Sequence, residues 1–142
     1  MSRDELLKRE AGSWKAFLEV IGAVPTGVRT EEGVVPGWST QDLVWHCAYW
    51  TDYTGSVLER ITDGDPDPAD TSATEAEILA EGRSFKWDEM IARAEQARER
   101  MRAAAVRLEE LPPLAVEWIE SDTFGHYEDH GGQISTFLAS RD

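Results

Sequence analysis

Apolar residues recur at helical spacing in four stretches of this chain, and most of its Gly and Pro residues fall between those stretches. That alternation calls for a bundle of amphipathic helices. The first stretch runs from about Ser2 to Gly22, with Leu7, Ala11, Trp14, Leu18 and Ile21 spaced by fours and threes. The second opens at Ser39, three residues before Asp42, a pattern that satisfies the free amides of a helix start. Its stripe is Leu43, Cys47, Trp50, Thr54, Val57 and Ile61, with His46 and Tyr53 on the flank. The third spans about Thr74 to Leu111. From Met90 it repeats through Ala94, Ala97, Met101, Ala104, Leu108 and Leu111, Gly82 marks a kink or break near its start, and Pro112 and Pro113 stop it. The stretch "LPPLAVEWIESD" reads as a loop, because a strand over "LAVEWI" would have no partner strand. The fourth helix is predicted from near Asp122 or Thr123 to about Ala139, with the stripe Tyr127, His130, Ile134 and Phe137. Connections of about ten or more residues predict an all-α four-helix bundle with long crossover connections. A single domain over residues 1–142 is expected.

The charge of −14 opposes approach to a phosphate backbone or an anionic bilayer, so nucleic acid and membrane surfaces are not the expected partners. No apolar run is long enough to span a bilayer. The start, "MSRDELLKREAGSWKAFLEV", has neither the apolar core nor the cleavage site of a targeting peptide, and a cytoplasmic location is the expectation. The lone cysteine, Cys47, excludes an internal disulfide and a four-cysteine zinc site. In "TDGDPDPADTSAT", Asp63, Asp65 and Asp67 imitate the start of a calcium loop. Pro68 and Thr74 stand where that loop needs glycine and a bidentate glutamate, so a solvated loop is read there instead. The 4-3 rhythm of the third stretch suits the bundle core, although its small alanines leave a homodimer face open.

Two of the three histidines, His126 and His130, stand four residues apart. On a helix that spacing brings both imidazoles onto one face, about 5–6 Å apart at the β-carbon, within reach of one metal ion. His46 lies on the inner flank of another helix, and one ligand from one helix plus a pair from another is a way bundles build metal sites. Three histidines without a fourth protein ligand leave coordination positions open, as catalytic sites do. Zinc ranks first, with Ni, Fe, Mn and Co also compatible with imidazole. Cys47 adjoins His46 in sequence but points about 100° away, so it reads as core packing. Asp42 reads either as a helix cap or as a group orienting His46, and Gln133 as a brace, a substrate contact or an interhelical bond. Trp38 and Trp118 lie in predicted loops that either border the pocket or anchor those loops. No residue presents itself as a protein nucleophile or general base.

"PGWSTQDLVWHCAYW" is similar to the second-helix signature of the DinB/YfiT-like superfamily, and "HYEDHGGQI" resembles its closing motif. The resemblance covers nearly the whole chain. It implies a four-helix bundle with a three-histidine divalent-metal site at His46, His126 and His130. It also implies low-molecular-weight thiol chemistry of the kind run by bacillithiol and mycothiol S-transferases and mycothiol-dependent maleylpyruvate isomerase. The partners would be a thiol of the mycothiol or bacillithiol type and a small electrophile, in a transfer or an isomerisation. Two departures stand out: Asp129 precedes His130 where many members have consecutive histidines, and the maleylpyruvate isomerases carry Glu where His126 stands. A metal-dependent hydrolase and a non-enzymatic ligand-binding or protective bundle are the alternatives.

Overall fold

A computed structural model describes residues 1–70 and 73–141. Among these the chain is all-helical: α1 (Arg3–Gly22), α2 (Thr40–Thr62), α3 (Glu75–Gly82), α4 (Trp87–Val106), α5 (Pro113–Ile119) and α6 (Gly125–Ala139), with a 3-10 turn at Thr26–Val28. The five residues Glu120–Phe124 form a π turn that joins α5 to α6 without a break. The bundle therefore has four long members, α1, α2, α4 and the α5–α6 rod, with α3 lying in the crossover between α2 and α4. No helix among the described residues is long and apolar enough to cross a membrane. Of the loop predicted between α2 and α3, residues 71 and 72 lie outside the described residues.

The helix starts follow from side chains that take up free amides. Ser2 and Ser39 each accept from the third residue of their helix, Glu5 and Asp42, whose carboxylates reach back to the cap amide. α2 is the central element: it packs most extensively on α4 and also meets α3, α5 and α6. The crossing with α4 is tight, since a β-carbon on Gly55 would come within 3.1 Å of the Met101 amide nitrogen. The α4 stripe Met90, Ala94, Ala97, Met101 and Ala104 is buried there.

The break expected at Gly82 is present: α3 ends there, where a β-carbon would lie 2.4 Å from Trp45 Cδ1, and α4 starts at Trp87. Three sequence readings need correction. The third stretch ends at Val106 rather than Leu111, because Arg3 donates to the carbonyls of Val106 and Leu108 and caps the helix early. "LPPLAVEWIESD" is helical from Pro113, whose missing amide and fixed φ suit the first turn of a helix. The core face of α1 is turned from the predicted stripe: Leu6, Leu7, Glu10, Trp14, Phe17 and Ile21 are buried, whereas Ala11 is exposed.

Glu10 is the polar centre of that face and is fully buried. Its carboxylate accepts from Arg98 Nε and Nη2 at 2.6 and 2.8 Å, from Arg102 Nη1 at 2.8 Å, and from the Tyr127 hydroxyl at 3.1 Å. Burial, and after it the Glu10 charge, hold the Tyr127 phenol protonated. Its single proton goes to the carboxylate, so the Thr51 hydroxyl, 3.0 Å away, donates to Tyr127. One chain of hydrogen bonds thus ties α2, α6, α1 and α4, and two of those helices carry the histidines.

Candidate metal centre

His46 sits in the second turn of α2, and His126 and His130 in the first two turns of α6. The three rings face one another. Their centroids are 4.8 Å apart for His46 and His126, 5.2 Å for His46 and His130, and 5.5 Å for His126 and His130. One nitrogen of each lies within 4.8 Å of the others, and this is the one cluster of three metal-ligating groups among the described residues. A cation bound at 2.0–2.1 Å by tetrahedral imidazoles sets its nitrogens about 3.4 Å apart. Small side-chain rotations close the difference. Cys47 is not in the cluster: it is fully buried in the core, and burial pushes its thiol far up, out of the range in which it would ionise near neutral pH.

The π turn sets the register of the histidine pair. The Gly125 amide donates to the Glu120 carbonyl five residues back, and a β-carbon at 125 would lie 2.5 Å from that oxygen. In an ordinary helix Gly→Ala gains about 0.8–1 kcal/mol. Here Gly125→Ala is expected to do the reverse, lowering stability by about 1–3 kcal/mol as the turn shifts to relieve the contact. Urea denaturation of the two proteins reads the sign directly.

Each ring has an acceptor outside the cluster. Gln133 Oε1 lies 2.7 Å from His130 Nδ1. An amide oxygen only accepts, so that nitrogen carries the proton and the lone pair is at Nε2. The bond makes Gln133 a brace within its own helix. Glu75 Oε2, on α3, stands 3.5 Å from His46 Nδ1, and Asp122 Oδ1, in the π turn, stands 3.8 Å from His126 Nε2. Burial pushes the Asp122 carboxyl up to about 6. Asp42 does not orient His46: it caps α2 through the Ser39 amide and pairs both its oxygens with Arg83. The sequence reading missed Glu75 and Asp122. Asp122 was legible from its spacing, four residues before His126, but Glu75 comes from an element whose approach to α2 no local pattern announces.

The residues present fit a divalent cation. Nδ1 of His126, the ring nitrogen other than the one facing Asp122, is buried without a hydrogen-bond partner, a state that costs about 1–3 kcal/mol. The His46 and His126 rings are also held neutral, the form that ligates. His46 is lowered to about 3 by burial and then by the charges of His126 and His130, and His126 to about 4 by burial and then by His130. The same shifts predict an acid-labile metal-free protein. The folded values lie below the ordinary 6.5, so the unfolded chain takes up protons first as pH falls. The stability due to these rings is complete above about pH 6.5 and is lost toward pH 4. The expected slope is on the order of 1.4 kcal/mol per pH unit for each ring, and His46→Asn should flatten it. Urea midpoints from pH 7 to 4.5 measure it.

Half-buried aromatic rings stand beside the cluster. Trp38 meets the His46 ring edge-on at 5.4 Å, and Trp50 meets it at 6.4 Å. Trp118 packs 6.4 Å from Trp50 and 5.5 Å from Tyr53, extending the wall, but from helix α5 and not from the predicted loop.

A family model described as mycothiol maleylpyruvate isomerase N-terminal domain matches residues 7–119 of this chain. The chain belongs to that family. The family is part of the DinB/YfiT-like superfamily that the helix motifs resemble, and the all-helical bundle agrees with it. The match runs from Leu7, within α1, through α5 with His46 and Glu75, and ends at Ile119, ahead of Asp122 and the other two histidines. No curated protein and no solved structure matches the chain.

Proposed function

We propose that this chain is a divalent-metal-dependent enzyme that transfers a low-molecular-weight thiol of the mycothiol or bacillithiol type to a small electrophile, or uses it to isomerise one. The observation that carries the reading is the convergence of His46, His126 and His130 from two helices, with no fourth ligand in the cluster among the described residues and an aromatic wall beside it. Zinc is the first choice of ion and nickel the second. When bound, such an ion would lower the pKa of a thiol and supply the thiolate at neutral pH. The chain's own contribution is placement: the histidines hold the ion, Gln133 fixes the tautomer of His130, and Glu75 and Asp122 stand to accept protons from the rings of His46 and His126. Trp38 and Trp50 restrict water at His46. The thiol comes from solution, since Cys47 is buried and protonated. A reducing, cytoplasmic setting suits that chemistry.

One observation favours a second reading. Asp122, with a carboxyl raised to about 6 beside His126, has the properties of a base for a hydrolase. Incubating the zinc- or nickel-loaded protein with a panel of thiols and electrophiles separates the two. Electrophile consumption that requires the thiol and disappears in His46→Ala supports transfer. Thiol-independent consumption supports hydrolysis, and none at all returns the chain to a binding role.

A further inference from the structure

The three histidines meet across the seam between two helix pairs. α2 lies against α4, where Gly55 lets the backbones approach, and α6 lies against α1, where a β-carbon on Gly131 would come within 3.4 Å of Phe17 Cδ1. His46 belongs to the first pair, His126 and His130 to the second. The distance from His46 to the other two rings therefore depends on what joins the pairs, and close packing within either pair does not fix it.

Tyr127 stands on that seam. Its ring is held on α1 by Trp14, edge-on at 5.1 Å, and by Phe17, stacked at 5.9 Å. Its hydroxyl accepts from Thr51 of α2 at 3.0 Å and donates to Glu10 at 3.1 Å, and Glu10 in turn holds Arg98 and Arg102 of α4. One oxygen thus ties α6 to both members of the other pair. Thr51 follows His46 by five residues and Tyr127 adjoins His126, so the tie lies near the ligands along both helices. Thr51, Tyr127 and Glu10 are all buried, so bulk water offers no ready substitute for these bonds.

We infer that Tyr127 is a positioning residue for the metal centre: its hydroxyl, bonded to Thr51 on one side and to Glu10 on the other, fixes the separation of α2 from α6 at which His46 converges with His126 and His130. This role rests on the reading of the three histidines as the metal centre.

Tyr127→Phe keeps the ring and its packing and removes only the hydroxyl. Zinc affinity, measured by competition with a chromophoric chelator, and the visible d–d absorption of the cobalt(II)-loaded protein are compared for the full-length wild type, Tyr127→Phe, Thr51→Val and the double variant, under conditions in which each is folded. In Tyr127→Phe the ion has to supply the ordering that the hydrogen bond supplied, so zinc affinity should fall about tenfold. The cobalt bands, which respond to the angles between ligands, should shift or broaden. Thr51→Val removes the α2 side of the tie and should weaken zinc severalfold, and the double variant should be no weaker than Tyr127→Phe alone, because both changes break the same bond. Should Tyr127→Phe not fold, Thr51→Val decides by the same two readouts. Variants that lose stability while zinc affinity and the cobalt spectrum stay at wild-type values would overturn the assignment, as would losses that add in the double variant. A wild-type chain that takes up neither zinc nor cobalt overturns the metal reading and this role with it, and the wild-type spectrum alone tells that outcome from the others.

Discussion

Glu10→Ala is expected to remove about 3–5 kcal/mol of folding stability, the largest loss of any single substitution considered for this protein. The carboxylate is fully buried and answers two arginines at once, so its removal leaves Arg98 and Arg102 without the partner that offsets their desolvation. It also deprives the Tyr127 hydroxyl of its acceptor. Domains of this size are stable by about 5–15 kcal/mol, and the variant should unfold at a much lower urea concentration. Glu10→Gln keeps the volume and part of the hydrogen bonding, and its loss should be smaller. Equal losses in the two variants would mean that the charge contributes nothing beyond packing.

His126→Ala is expected to abolish stoichiometric uptake of zinc and nickel while the bundle stays folded. Two imidazoles from different helices remain, His46 and His130, one ligand short of the three-residue set. Loss of an outer partner costs less: Gln133→Ala should weaken binding by about 10–100-fold, because His130 then chooses its tautomer and orientation freely. Isothermal titration of the three proteins gives the order directly. Undiminished binding in His126→Ala would place the ion elsewhere.

Much of this architecture can be read from local pattern. Ser39 with Asp42 marks the start of α2, and the 4-3 rhythm from Met90 marks the face that α4 turns inward. The histidine pair is legible for the same reason, since i, i+4 spacing fixes a shared face whatever surrounds the helix. What escapes local pattern is decided across the bundle. Glu10 looks like a solvent residue until Arg98 and Arg102, far along the chain on α4, are packed against it. A stripe drawn from apolar residues alone therefore misplaces the core face of α1. The π turn hides in the same way. Its five residues, Glu120–Phe124, carry no local mark that sets a π turn apart from a helix, so sequence pattern places the start of the last helix inside it, near Asp122 or Thr123, and does not show Asp122 as a neighbour of His126.

The central claim is that His46, His126 and His130 close around one cation. Anomalous scattering at the zinc absorption edge from crystals of the zinc-loaded protein tests it most directly. The predicted result is a single peak per chain, bonded to one nitrogen of each of the three rings at 2.0–2.1 Å. A peak bound elsewhere, or none with the three rings turned apart, would contradict it.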